Sequence, residues 1–107
     1  MYSKAIGVDS HAEGYMTYAY NDSSHAEGVE TNASGYASHA EGIGTHADNE
    51  ASHAEGEGTR AGPICSHAEG YMTYAAGGSS HAGGFGSNAL KDQSFATGFS
   101  TIANAVA

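Results

Sequence analysis

Ser10-His11-Ala12-Glu13-Gly14 is the stretch that decides the reading of this chain, because the same five residues, SHAEG, return at 24–28, 38–42, 52–56 and 66–70. SHAGG from Ser80 and SFATG from Ser94 continue the series at the same spacing of 14 residues, with no insertion or deletion. A period this strict means that every unit takes one conformation and stacks on its neighbour, which is a solenoid and not a globule. The expected organisation is a single repeat domain over 1–107. It comprises a partial repeat over 1–9, six SHAEG or SHAGG repeats over 10–93 and a degenerate terminal repeat over 94–107, and reads as a fragment of a longer fibre.

Counted from each serine, the eighth position is Thr17, Thr31, Thr45, Thr59, Thr73, Ser87 and Thr101, and the tenth is Ala19 and its equivalents. The unit is therefore two similar halves, each beginning Ser/Thr-x-Ala, a two-residue alternation that fits a short β-strand. Turn formers separate the halves: Asn21-Asp22, Gly35, Asn49, Pro63 and Gly77-Gly78. Such a unit closes into a loop of two strands and two turns, and successive loops lie about 4.8 Å apart. The expected fold is all-β, a parallel β-roll or β-solenoid of 14-residue, two-strand repeats. A heptad coiled coil shares the period, but a glycine in every unit costs about 1 kcal/mol each in a helix. Collagen fails because glycine does not recur every third residue, and the calcium-binding nonapeptide roll lacks its signature.

Alternation assigns the faces. Ser10, Ala12 and Gly14, with Thr17 and Ala19 and all their repeats, are expected inside, where small residues fill a thin gap. Outward positions on the second strand drift freely: Lys4, Tyr18, Asn32, His46, Arg60, Tyr74, Asn88 and Ile102. Those on the first strand do not. One column is His11, His25, His39, His53, His67, His81 and then Phe95; the other is Glu13, Glu27, Glu41, Glu55 and Glu69. A column that repeats so strictly is expected to face surroundings of the same repeat, and another copy of the roll supplies them, in parallel and in register.

Composition agrees. Sixteen glycines, no tryptophan and an alanine-dominated apolar set cannot build a large globular core. Twelve acidic against three basic residues give a net charge of −9, which argues against nucleic acid and against direct membrane contact. Seven histidines make this charge sensitive to mild acid. Cys65 has no intrachain partner and shares its column with Ser23, Ala37 and Ser79, which suggests filler. No bilayer-spanning apolar stretch or leader is visible, so an export signal or anchor is expected outside this sequence.

The repeat resembles that of YadA-like heads of trimeric autotransporter adhesins, whose 14-residue units carry an SxAxG core such as SVAIG. SHAEG units are also similar to those of phage tail fibres. The resemblance spans essentially Ser3 to Ala107 and implies a left-handed roll, three chains around a fibre axis and the two x positions meeting between chains. Here His and Glu stand where that family has valine and isoleucine, so polar ladders replace a greasy seam. The implied setting is extracellular, on a bacterial cell surface or alternatively a virion tail. The implied role is adhesion and virulence through an extracellular matrix protein or host cell surface, or presentation of host-binding surface; the alternatives are a phage tail-fibre receptor-binding or spacer segment and a purely structural module with a His/Glu metal site.

Catalysis is not expected and no cofactor is implied: neighbours on a strand face opposite ways, so Ser10 and His11 form no dyad. The plain reading of the ladder is hydrogen bonding between each imidazole and a carboxylate. The alternative is metal binding by His11, His25, His39, His53, His67 and His81, gathered on a threefold axis. Tyr15 and Tyr71 are expected to pack at the corner between chains, while Tyr18 and Tyr74, on the drifting column, are candidate ligand contacts.

Overall fold

A computed structural model describes residues 2–105; Met1, Val106 and Ala107, the outermost positions of the expected terminal part-repeats, lie outside the described residues. The chain winds as a parallel β-solenoid of about seven coils, measuring 38 × 21 × 10 Å. One sheet holds the short strands: β1 (Lys4–Ala5), β3 (Tyr18–Ala19), β5 (Asn32–Ala33), β7 (His46–Ala47), β9 (Arg60–Ala61), β11 (Tyr74–Ala75), β13 (Asn88–Ala89) and β15 (Ile102–Ala103). The other holds β2 (His11–Tyr15), β4 (His25–Val29), β6 (His39–Ile43), β8 (His53–Glu57), β10 (His67–Ala68), β12 (His81–Phe85) and β14 (Phe95–Phe99). Every pairing is parallel and joins a residue to its equivalent one repeat on, as in His25 with His39 and Glu27 with Glu41. A constant offset of one unit is what a solenoid without insertions must give.

The core is two alanine columns. Ala26, Ala40, Ala54, Ala68 and Ala82 from one sheet meet Ala19, Ala33, Ala47, Ala61, Ala75 and Ala89 from the other, all wholly buried. Inward hydroxyls complete it and also tie the turns. Ser24, Ser38, Ser52, Ser66 and Ser80 donate to the carbonyl three residues earlier at 2.5–2.7 Å. Thr45, Thr59 and Thr73 donate to the carbonyls of Glu41, Glu55 and Glu69 at 2.9–3.1 Å. The serine hydroxyls reinforce turn carbonyls that also accept the same serine's N–H at 3.1–3.3 Å, and the threonine hydroxyls bond carbonyls at the second corner of the coil.

Two expectations need correction. Gly14 and its repeats are not core filler: they are half-buried to exposed and hold φ between 93° and 118°. A Cβ on Gly42 would lie 2.0 Å from the Gly56 carbonyl oxygen, so the column is glycine because backbone lies against backbone in a conformation that other residues rarely adopt. Cys65 is not filler either. It is exposed, with φ 57°, in a turn column where Asp9, Ser23, Ala37, Ala51, Ser79 and Gln93 share the same left-handed conformation. The turn formers read from sequence do lie in these turns, one or two residues ahead of the left-handed position.

Candidate functional site

The outward face of the longer-stranded sheet carries both unvarying columns. Because strands pair in register, the imidazoles of His25, His39, His53, His67 and His81 stack with centroids 4.6–4.8 Å apart and ring planes within 3–23° of parallel. The stack ends edge-on at both extremes, His11 against His25 at 79° and Phe95 against His81 at 66°. The site therefore contains His11, Glu13, His25, Glu27, His39, Glu41, His53, Glu55, His67, Glu69, His81 and Phe95 in one continuous band, as the alternation implied. His46, on the drifting column of the other sheet, stands apart from it, its Nδ1 at 3.1 Å from Asn32 Nδ2.

Each carboxylate lies between two histidines, that of its own coil and that of the next. Contact with the next coil tightens along the chain: His39 Nε2 to Glu27 is 3.5 Å, His53 to Glu41 3.4 Å, His67 to Glu55 3.2 Å and His81 to Glu69 2.7 Å. Contacts within a coil are 3.4 Å for His11–Glu13, 3.7 Å for His25–Glu27 and 3.9 Å for His39–Glu41. A charge-assisted N–H···O bond is about 2.7–2.9 Å, so only the last rung is fully closed. Nε2 of His25 and of His39 are shielded from water and make no hydrogen bond. The expectation that every imidazole meets a carboxylate therefore holds at the C-terminal end and lapses toward the N-terminal one. The side chains of the central coils retain about a third of their surface exposed, 33–35% for His39, Glu27 and Glu41.

Beside the ladder, the residue after each glycine forms an exposed edge column of Tyr15, Val29, Ile43, Glu57, Tyr71, Phe85 and Phe99. Tyr71, Phe85 and Phe99 stack at 4.9 and 5.0 Å. This extends the polar band with an apolar margin.

On the opposite sheet Tyr18 is half-buried and stacked on Tyr20 at 5.6 Å, and it lines a shallow groove with Met16, Glu30, Asn32, Gly44 and His46. Tyr74 is more exposed, with the Arg60 guanidinium 5.7 Å from its ring centre. Arg60 Nε also donates to Asp48 at 2.6 Å, and this bond, with the charge of Asp48, raises the guanidinium pKa above its ordinary value. The two candidate tyrosines are four coils apart and share no site.

No protein-family model matches the chain, and no curated protein matches it.

Proposed function

We propose that the chain is a non-catalytic segment of an extracellular trimeric fibre, of the kind that YadA-like heads form, which holds adhesive surface at a distance from the cell. In this reading the roll is left-handed, and the ladder face and its apolar margin meet the same face of two other copies. The single observation that carries it is the contrast between columns. His and Glu persist on one sheet, while the equivalent positions of the other sheet range from Lys4 to Ile102. Solvent imposes no such repetition, whereas in-register copies around an axis do. The drifting face, with Tyr18 and Tyr74, is left outward for contact with a matrix protein or host cell.

The adhesive role is tested by solid-phase binding of the purified chain to immobilised collagen, fibronectin and laminin and to cultured cells. Saturable binding to one of them, weakened by Tyr18→Ala or Tyr74→Ala with the melting temperature unchanged, is the expected result. Absence of binding to all of them would leave the segment a spacer and remove the adhesive reading.

A further inference from the structure

The rungs toward the N-terminal end are too open for strong hydrogen bonds and have a suitable spacing for a metal ion, whereas His81 and Glu69 close to 2.7 Å. In a tetrahedral zinc site with bonds of about 2.0–2.1 Å, neighbouring ligand atoms stand about 3.3 Å apart. The contacts of Glu27 with His25 and His39, at 3.7 and 3.5 Å, and of Glu41 with His39 and His53, at 3.9 and 3.4 Å, lie closer to that edge length than to a charge-assisted hydrogen bond. The two nitrogens shielded from water without a hydrogen bond, Nε2 of His25 and His39, flank the same Glu27 oxygen. In every rung from His11 to His81, one carboxylate and two imidazoles bring their ligand atoms within 4.8 Å of one another.

We propose that the ladder binds borderline divalent cations, of which Zn2+, Co2+ and Ni2+ are the type, through Nε2 of two successive histidines and the carboxylate between them. All three ligands of a rung come from one chain. The proposal therefore goes beyond the fibre reading and does not depend on assembly, and it differs from a site gathered on a threefold axis. Two imidazoles and one carboxylate suit these ions, whereas Ca2+ and Mg2+ favour all-oxygen sets. Water completes the coordination in the fourth position. Binding requires adjacent rings to turn out of their parallel stack, closing the Nε2 pair toward about 3.3 Å, and the imidazole χ2 torsion is soft enough to allow it.

Sharing sets the stoichiometry. The five rungs overlap, because each internal histidine belongs to two of them. An Nε2 lone pair serves one ion, so six histidines taken two at a time hold at most three ions per chain, in alternate rungs. A rung that binds leaves its neighbours incomplete.

Titration with Co2+ followed by visible absorption tests this. The expected result is the intense spectrum of four- or five-coordinate Co2+, saturating at no more than three ions per chain and displaced by Zn2+. His53→Gln should lower the ceiling from three to two, since only two disjoint adjacent pairs remain, while His46→Gln should leave it at three. Imidazole 15N spectra of the unaltered chain with Zn2+ should show Nε2 shifts for the ladder histidines and none for His46, a readout that survives misfolding of any variant. A weak octahedral spectrum like that of aqueous Co2+, the same ceiling in folded His53→Gln, or unshifted ladder nitrogens would overturn the proposal.

Discussion

The two sheets share one chain, one period and one alanine core, yet their outer faces obey different rules. On the short-stranded sheet the outward column runs through Lys4, Tyr18, Asn32, His46, Arg60, Tyr74, Asn88 and Ile102 and tolerates every chemical type. On the longer-stranded sheet it holds to His and Glu until Gly83 and Phe95. Parallel in-register pairing by itself does not demand identity, since the drifting column pairs equally regularly. The backbone therefore accounts for the period, and in the proposed fibre the constancy of the ladder comes from the copies that it faces.

If the glycine and alanine columns set how the coils stack, altering them should have the largest effect. Gly42→Ala places a Cβ 2.0 Å from the Gly56 carbonyl oxygen at φ 109°, so two coils must separate. A loss of at least about 3 kcal/mol, read by denaturant unfolding, is expected from strain and the displaced strand together. Ala40→Leu overpacks a wholly buried site between two sheets and should cost about 1–3 kcal/mol per chain. A melting temperature unchanged by Ala40→Leu would show that the alanine column is not the packed interior, and one unchanged by Gly42→Ala that the glycine column does not hold backbone against backbone.

The ladder comes next. His39→Val removes the ring between His25 and His53 and leaves Glu27 and Glu41 each with one histidine fewer, whereas Glu41→Ile leaves His39 and His53 without their shared carboxylate. Buried in the proposed interface, each single change should cost about 1–3 kcal/mol, and changing a pair in closer contact together, Glu41→Ile with His53→Val, should recover most of it, because both partners become apolar while His39 keeps Glu27 and His67 keeps Glu55. Simple additivity of two small effects would place the ladder in solvent. At the small end, Arg60→Ala deletes an exposed ion pair with Asp48 and should change stability by less than about 1 kcal/mol.

Much of this was legible in the sequence for a definite physical reason. Strict spacing and Ser/Thr-x-Ala alternation place Ala26, Ala40 and Thr45 inside, and His39 and Glu41 outside, without reference to any neighbour. What escaped depends on how one coil rests on the next. Gly42 reads as another small inward residue until its contact with Gly56 is known. Ala37, Ala51 and Cys65 give no turn signal of their own, yet hold φ of 54–57° because the closed coil requires it. The contact of Glu41 with His53 spans 12 residues and crosses coils, so inspection of one SHAEG unit pairs Glu41 with His39, which is the longer contact at 3.9 Å. A mixed Gly column following the edge residue, Gly44, Gly58 and Gly86 among Met16, Glu30, Met72 and Ser100, was the available hint that a second left-handed position closes every coil.

Whether copies of the chain cover the ladder is decided most directly by the mass of the folded protein in solution. Multi-angle light scattering on material with β-sheet circular dichroism should return about three times the chain mass of 10.8 kDa, and His39→Lys, which sets a charge in the unvarying column, should lower it. A folded, monodisperse species at the mass of one chain would contradict the assignment of the His and Glu columns to an interface.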